Sequence, residues 1–202
     1  MLAASRVRAI HACVRGTLPS GVEYTADEPQ LLAWVHCCLV ASFLEVLTRG
    51  GVTLTGAEQD QYIEEQVKAA MLVGLEPDEV PHDRAALLDY FRVIKPVLEC
   101  TPAARQTASE IVAPSGPPRL EAATTPRPAW SSLAGLAFAA LPPWGRRLYA
   151  LPDLPGAAGL PDAATTVGLR TLRGTLRGIQ SVVPTLRESS SHLRAARARL
   201  NP

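Results

Sequence analysis

The stretch from Thr25 to Gly51 constrains this chain more than any other part of it. Gln30–Thr48 is the most apolar helical run in the sequence, and punctuation brackets it on both sides. Upstream, Thr25-Ala-Asp27-Glu-Pro29 reads as a helix start. Asp27 or Thr25 can cap the first amides, and Pro29 sits in the first turn, where its missing N–H costs nothing. Downstream, Gly50-Gly51 stop the helix. Such an apolar rod needs other helices to cover it.

The rest of the chain supplies them. Leu2–Arg15 sets Val7, Ile10, His11 and Val14 on one helical face and ends at Gly16. Thr55 with Glu58 three residues on is a capping box, opening a helix that runs to about Val73 and stops at Gly74. A fourth helix spans Asp83 to Leu98, bent or shortened by Pro96. Thr101-Pro102 starts a fifth, ending near Pro114. Trp130–Leu141 is a short apolar helix, PPWGRRLYALP follows as a compact turn, and Ala163–Leu200 is a last tract broken at Pro184. Only Gly51–Thr55 shows any period-two alternation, so the expected fold class is all-α. The proline-rich segments divide the chain into a helical core (1–113), a connection with one short helix (114–162) and a basic C-terminal helical segment of the same domain (163–202).

With 47% apolar and 19% charged residues among 202, there is material for a real core, and wholesale disorder is excluded. The net charge of +1 points to no polyanionic partner, and no nucleic acid is expected. That total hides a polarity. Residues 1–112 sum to −6 and residues 113–202 to +7. Arg170, Arg173, Arg177, Arg187, Arg194, Arg197 and Arg199 recur at helical steps, so the tail could touch anionic lipid or nucleic acid. Packing of its Leu169, Leu172, Leu176 and Ile179 stripe on the acidic half explains the same pattern and is the favoured reading.

The start, MLAASRVRAIHACVRG, lacks the apolar run of a secretory signal. The longest apolar stretch, 129–141, falls short of the roughly 20 residues of a spanning helix, so no transmembrane segment is expected. Cys13, Cys37, Cys38 and Cys100 show no CxxC spacing and read as free thiols, which places the chain in the reducing cytoplasm. Phosphate-binding loops, GxSxG and HExxH spacings do not occur. Glu64-Glu65 and Asp60 are poor candidates for paired acid–base work, because neighbouring helical residues diverge by about 100°.

His11 is the first candidate for chemistry. It shares its face with apolar residues and has Arg8 one turn before it. A neutral imidazole so placed can bind a haem iron axially, with arginine pairing a propionate. Histidines on such faces are more often core residues satisfied by a hydrogen bond. His36, on one face with Leu32, Leu39, Val40 and Phe43, poses the same choice.

Several elements in order carry a likeness: Arg8-Ala-Ile-His11, Tyr24-Thr-Ala26-Asp27-Glu-Pro29, Trp34-Val35-His36, Thr101-Pro102-Ala-Ala-Arg105 and Leu141-Pro-Pro-Trp144-Gly-Arg146-Arg147. Together they resemble the catalytic domain shared by MpaB-type oxygenases and latex-clearing rubber oxygenases. The resemblance implies a globin-like multi-helix bundle holding haem b, with O2 used on a hydrophobic, isoprenoid-like substrate. It implies that His11 is the proximal iron ligand, that Arg8 is its structural or propionate partner, and that Trp34 and His36 are pocket wall or second-layer residues. Family members carry a further helical region ahead of Arg-x-x-His, with an Arg-x-x-x-Thr element, whereas ten residues precede His11 here. The expectation is therefore a start site set late, a truncated paralogue, or a partner chain or self-association that covers the missing helices. The alternative from a different class is a non-catalytic helical interaction protein that has lost haem.

Overall fold

The computed structural model describes residues 2–18, 20–112, 127–149 and 160–182. They form eight α-helices and one two-stranded antiparallel sheet, an all-α architecture with a single hairpin. The chain groups into two compact units, Met1–Thr48 with Val52–Thr101, and Arg49–Gly51 with Pro102–Pro202.

The first unit opens with α1 (Leu2–Cys13), followed by β1 (Arg15–Thr17) and β2 (Glu23–Thr25). α1 ends earlier than its sequence suggests. The Val14 amide closes the last turn on the carbonyls of Ile10 and His11, and Arg15 then pairs with Thr25, Gly16 with Tyr24 and Thr17 with Glu23. Gly16 is thus a strand residue rather than a helix stop. The Tyr24 ring lies 2.5 Å from where a Cβ would stand, so only glycine fits there without moving that ring. Strands of three residues are too short for alternation to show in a sequence.

Next come α2 (Pro29–Arg49, within this unit through Thr48), α3 (Gly56–Val73) and α4 (Arg84–Ile94). The start of α2 is held by Glu28, whose carboxylate accepts the Thr25 amide at 2.8 Å and whose carbonyl accepts from Leu31 and Leu32. The capping box of α3 is present in both directions. The Glu58 amide donates to the Thr55 hydroxyl at 3.2 Å, and the Thr55 amide to the Glu58 carboxylate at 2.7 Å. Gly74 closes α3 in the left-handed region at φ 112°. α4 is capped by Asp83 and passes at Lys95 into a 3-10 turn containing Pro96, which cannot supply the next helical N–H.

α2 buries Leu32, Ala33, Cys37, Val40 and Leu44. Leu32 and Ala33 join Val67 and Ala70 of α3, with Leu75 and Val80 beyond it, in one apolar cluster. α2 is also the one described helix long and apolar enough to cross a membrane by length and composition, with a mean hydropathy of 1.9.

The second unit contains α5 (Pro102–Val112), α6 (Arg127–Ala140), α7 (Pro143–Leu148) and α8 (Leu160–Val182). α6 packs on both α5 and α8. Trp130 pins it to α5 by donating its indole N–H to the Ile111 carbonyl at 2.8 Å. Gly168 lets α8 approach closely, since a Cβ there would meet Leu136 at 2.9 Å. The expected turn after α6 is a helix, α7, entered through extended Pro142 with Pro143 in its first turn. Arg146 reaches back to the carbonyls of Ala139 and Leu141 at 3.0 and 2.9 Å, satisfying acceptors that the end of α6 leaves open. In α8, Leu169 is buried and Leu176 half exposed. The tail arginines from Arg187 onward lie outside the described residues.

Ile63 of α3 is 1% exposed and Val93 of α4 is 67% exposed. Ile63→Ala is expected to destabilise the protein by about 2–5 kcal/mol and Val93→Ala by less than about 0.5 kcal/mol, as read from denaturant unfolding.

Candidate functional site

His11 sits on α1, three residues before the turn into the hairpin. It is partly buried, and its Nδ1 is fully buried with no hydrogen-bond partner among the described residues. Leaving such a nitrogen unmet costs about 1–3 kcal/mol. If Nδ1 carries the proton, Nε2 holds a free lone pair and Nδ1 awaits an acceptor. In the other tautomer the roles reverse. Either way the ring has donor capacity that the surrounding protein does not use.

The surroundings of His11 are apolar and open. Val7 is 38% exposed, Ile10 61% and Val14 47%. The hairpin fixes the end of α1, because the Ala26 amide donates to the Val14 carbonyl at 3.0 Å. This brings Asp27 within electrostatic reach of His11. The Asp27 carboxyl is held below its usual range mainly by the Thr25 hydroxyl, with its own backbone amide and the charges of Arg15 and His11 adding to the effect.

The other predicted residues do not gather on His11. Among the described residues no hydrogen bond or ring contact joins His11 to Arg8, Trp34 or His36. Arg8 runs over the end of α3, its Cδ 3.6 Å from the position a Gly74 Cβ would take. Trp34 stands edge-on to Phe91 of α4, with ring centroids 6.1 Å apart. His36 lies between the buried Leu32 and Val40 and the exposed Leu39 and Phe43, and desolvation lowers its pKa, favouring the neutral ring. Burial pushes the Cys37 thiol up to about 12 and Cys38 to about 11, so neither offers a thiolate.

A haem needs one imidazole donor, an open apolar surface and cations for its carboxylates. His11 with an unmet ring nitrogen and the exposed Val7, Ile10 and Val14 answer the first two needs, and Arg15 is a nearby cation for the third, whereas Arg8 is turned towards Gly74. Among the described residues no cluster of three or more His, Cys, Asp or Glu side chains could hold a bare metal ion.

The acidic residues set aside for chemistry have structural partners. Asp60 accepts the Arg84 amide at 2.9 Å, and Glu64 accepts from His82. His82, part of no motif, is the ionisable group sequence reasoning missed. Its Nδ1 lies 2.8 Å from Glu64 and its Nε2 2.8 Å from the Pro77 carbonyl. Both partners accept, so only the doubly protonated ring satisfies both. The Pro77 carbonyl raises the His82 pKa most, Glu64 next, and the Asp83 charge adds to it.

A histidine raised above its ordinary 6.5 stabilises the fold fully below that value and loses the contribution as pH climbs through the raised one. His82→Ala is therefore expected to lower the melting temperature under mildly acidic conditions and to have a smaller effect at alkaline pH. A loss that grows with pH would contradict this assignment.

The family model described as "ER-bound oxygenase mpaB/B'/Rubber oxygenase, catalytic domain" matches residues 2–178. No curated protein and no solved structure matches the chain.

Proposed function

The chain belongs to the mpaB/rubber oxygenase catalytic-domain family, and on that premise we propose that it is a haem b-dependent oxygenase acting with O2 on a hydrophobic, isoprenoid-like substrate. The observation that carries the haem reading is His11, a partly buried imidazole with an unmet Nδ1 on an open apolar face. Haem, when bound, supplies the redox iron for oxygen chemistry.

The chain's own residues do the rest. His11 would hold the iron of such a group through a ring nitrogen. Arg8 and Arg15 would supply guanidinium groups for its carboxylates. Val7, Ile10 and Val14 would lie against the group and keep water from it, which suits an apolar, unsaturated substrate. Trp34, held edge-on by Phe91, would be pocket wall rather than a group in contact with the reacting atoms. The free cysteines support a reducing compartment.

A non-catalytic scaffold is the second reading, and one observation favours it. Leu31, Val35, Leu39, Phe43 and Val46, spaced along one side of α2, are between 37% and 58% exposed. A second chain, or further helices, would cover such a face. The two readings part on one absorption spectrum. Haem-reconstituted protein should show a Soret band, and His11→Ala should lose it while keeping its far-UV circular dichroism. A colourless wild type after reconstitution would end the oxygenase reading and leave the scaffold.

A further inference from the structure

The haem reading leaves the arginines of α8 unused. Arg170 and Arg173 lie three residues apart, so they are neighbours on the helix surface, and both reach the turn at Gly51. The Arg170 Nε stands 3.7 Å, and the Arg173 Nη1 3.5 Å, from where a Gly51 Cβ would lie. Two guanidinium groups therefore converge on one point. Gly51 is exposed and holds φ 87°, a left-handed conformation that suits glycine, and any side chain there would stand against both cations.

The charges around this turn do not balance. Arg173 gives one N–H to the Gly50 carbonyl at 2.9 Å, a natural cation at the end of α2. Arg170 has no hydrogen-bond or ion-pair partner among the described residues. The nearby carboxylate, Asp162, is met by other arginines, with Arg49 at 3.4 Å and Arg146 at 3.9 Å from its Oδ1. Arg170 and Arg173 are thus two like charges held side by side, an arrangement that costs stability unless an anion joins them.

We propose that Arg170 and Arg173 together bind a doubly charged phosphate group over Gly51. The guanidinium fork matches phosphate oxygens, and two forks can take different oxygens of one tetrahedral dianion. A carboxylate carries a single charge and leaves the second cation unanswered. An apolar molecule gains nothing from either. These residues all belong to the second unit and His11 to the first, so the phosphate site does not rest on the haem reading.

Calorimetric titration of the full chain with inorganic phosphate, at mildly alkaline pH and constant ionic strength, tests the proposal. Phosphate should bind roughly tenfold more tightly than acetate, and Arg170→Ala should weaken it about tenfold through the lost charge-assisted contact. Arg170→Lys should weaken it less, and Arg177→Ala should leave it unchanged. In phosphate-free buffer Arg170→Ala should melt no lower than the wild type, because it relieves a like-charge pair. Phosphatidylcholine vesicles containing phosphatidate separate the sources. Flotation of the wild type but not of Arg170→Ala identifies a lipid headgroup, and phosphate binding without flotation identifies a soluble phosphate ester. Phosphate binding no tighter than acetate, or undiminished in folded Arg170→Ala, would overturn the proposal. So would a lower melting temperature of Arg170→Ala in phosphate-free buffer, which would make Arg170 a structural residue.

Discussion

One buried face of α2 determines the layout of the first unit. Leu32, Ala33, Cys37, Val40 and Leu44 turn inward, and Leu32 and Ala33 share an apolar cluster with Val67, Ala70, Leu75 and Val80. Successive residues on a helix point about 100° apart, so burying that face fixes the direction of every other α2 side chain. Trp34 is thereby brought against Phe91, and His36 is left at the boundary with a desolvated, neutral ring. The same rotation leaves Leu31, Val35, Leu39 and Phe43 facing outward. One packing decision therefore sets both the place of Trp34 and the open apolar side.

α1 is placed by other means. It contributes little to the buried core, and it is held by what meets its ends and its flank. The Val14 carbonyl takes the Ala26 amide, and Arg8 crosses the end of α3 at Gly74, where a larger residue would also strain the left-handed backbone. These tethers hold His11 in a defined place while its apolar neighbours stay exposed. The family's description is that of an oxygenase catalytic domain, and in this chain the anchored α1 presents an imidazole with an unmet Nδ1.

Features that depend on a few consecutive residues were legible. The capping box at Thr55 and Glu58, the stop at Gly74, the shortening of α4 at Pro96 and the bounds of α2 all follow from residues within one turn of each other. The family itself was legible too, through Arg8-Ala-Ile-His11 and the motifs after it. The hairpin was not, because its three-residue strands pair across a loop. Nor was α7, whose stability leans on Arg146 reaching carbonyls five and seven residues back. His82 carried no signal at all, since Glu64 lies eighteen residues away.

By itself the amino-acid sequence determined the helical class, most helix ends and the family likeness that singles out His11. These rest on propensity, capping and motif, which act over short spans of chain. Only the tertiary structure decided which polar groups find partners. It gave Asp60 and Glu64 to backbone and imidazole donors and left the His11 Nδ1 without a partner. It also set Trp34 against Phe91 instead of His11 and left an open, uncharged groove between α5 and α6 beside Leu141 and Tyr149. Hydrogen-bond satisfaction and empty volume depend on residues distant in sequence arriving at one place, and no local pattern encodes that arrival.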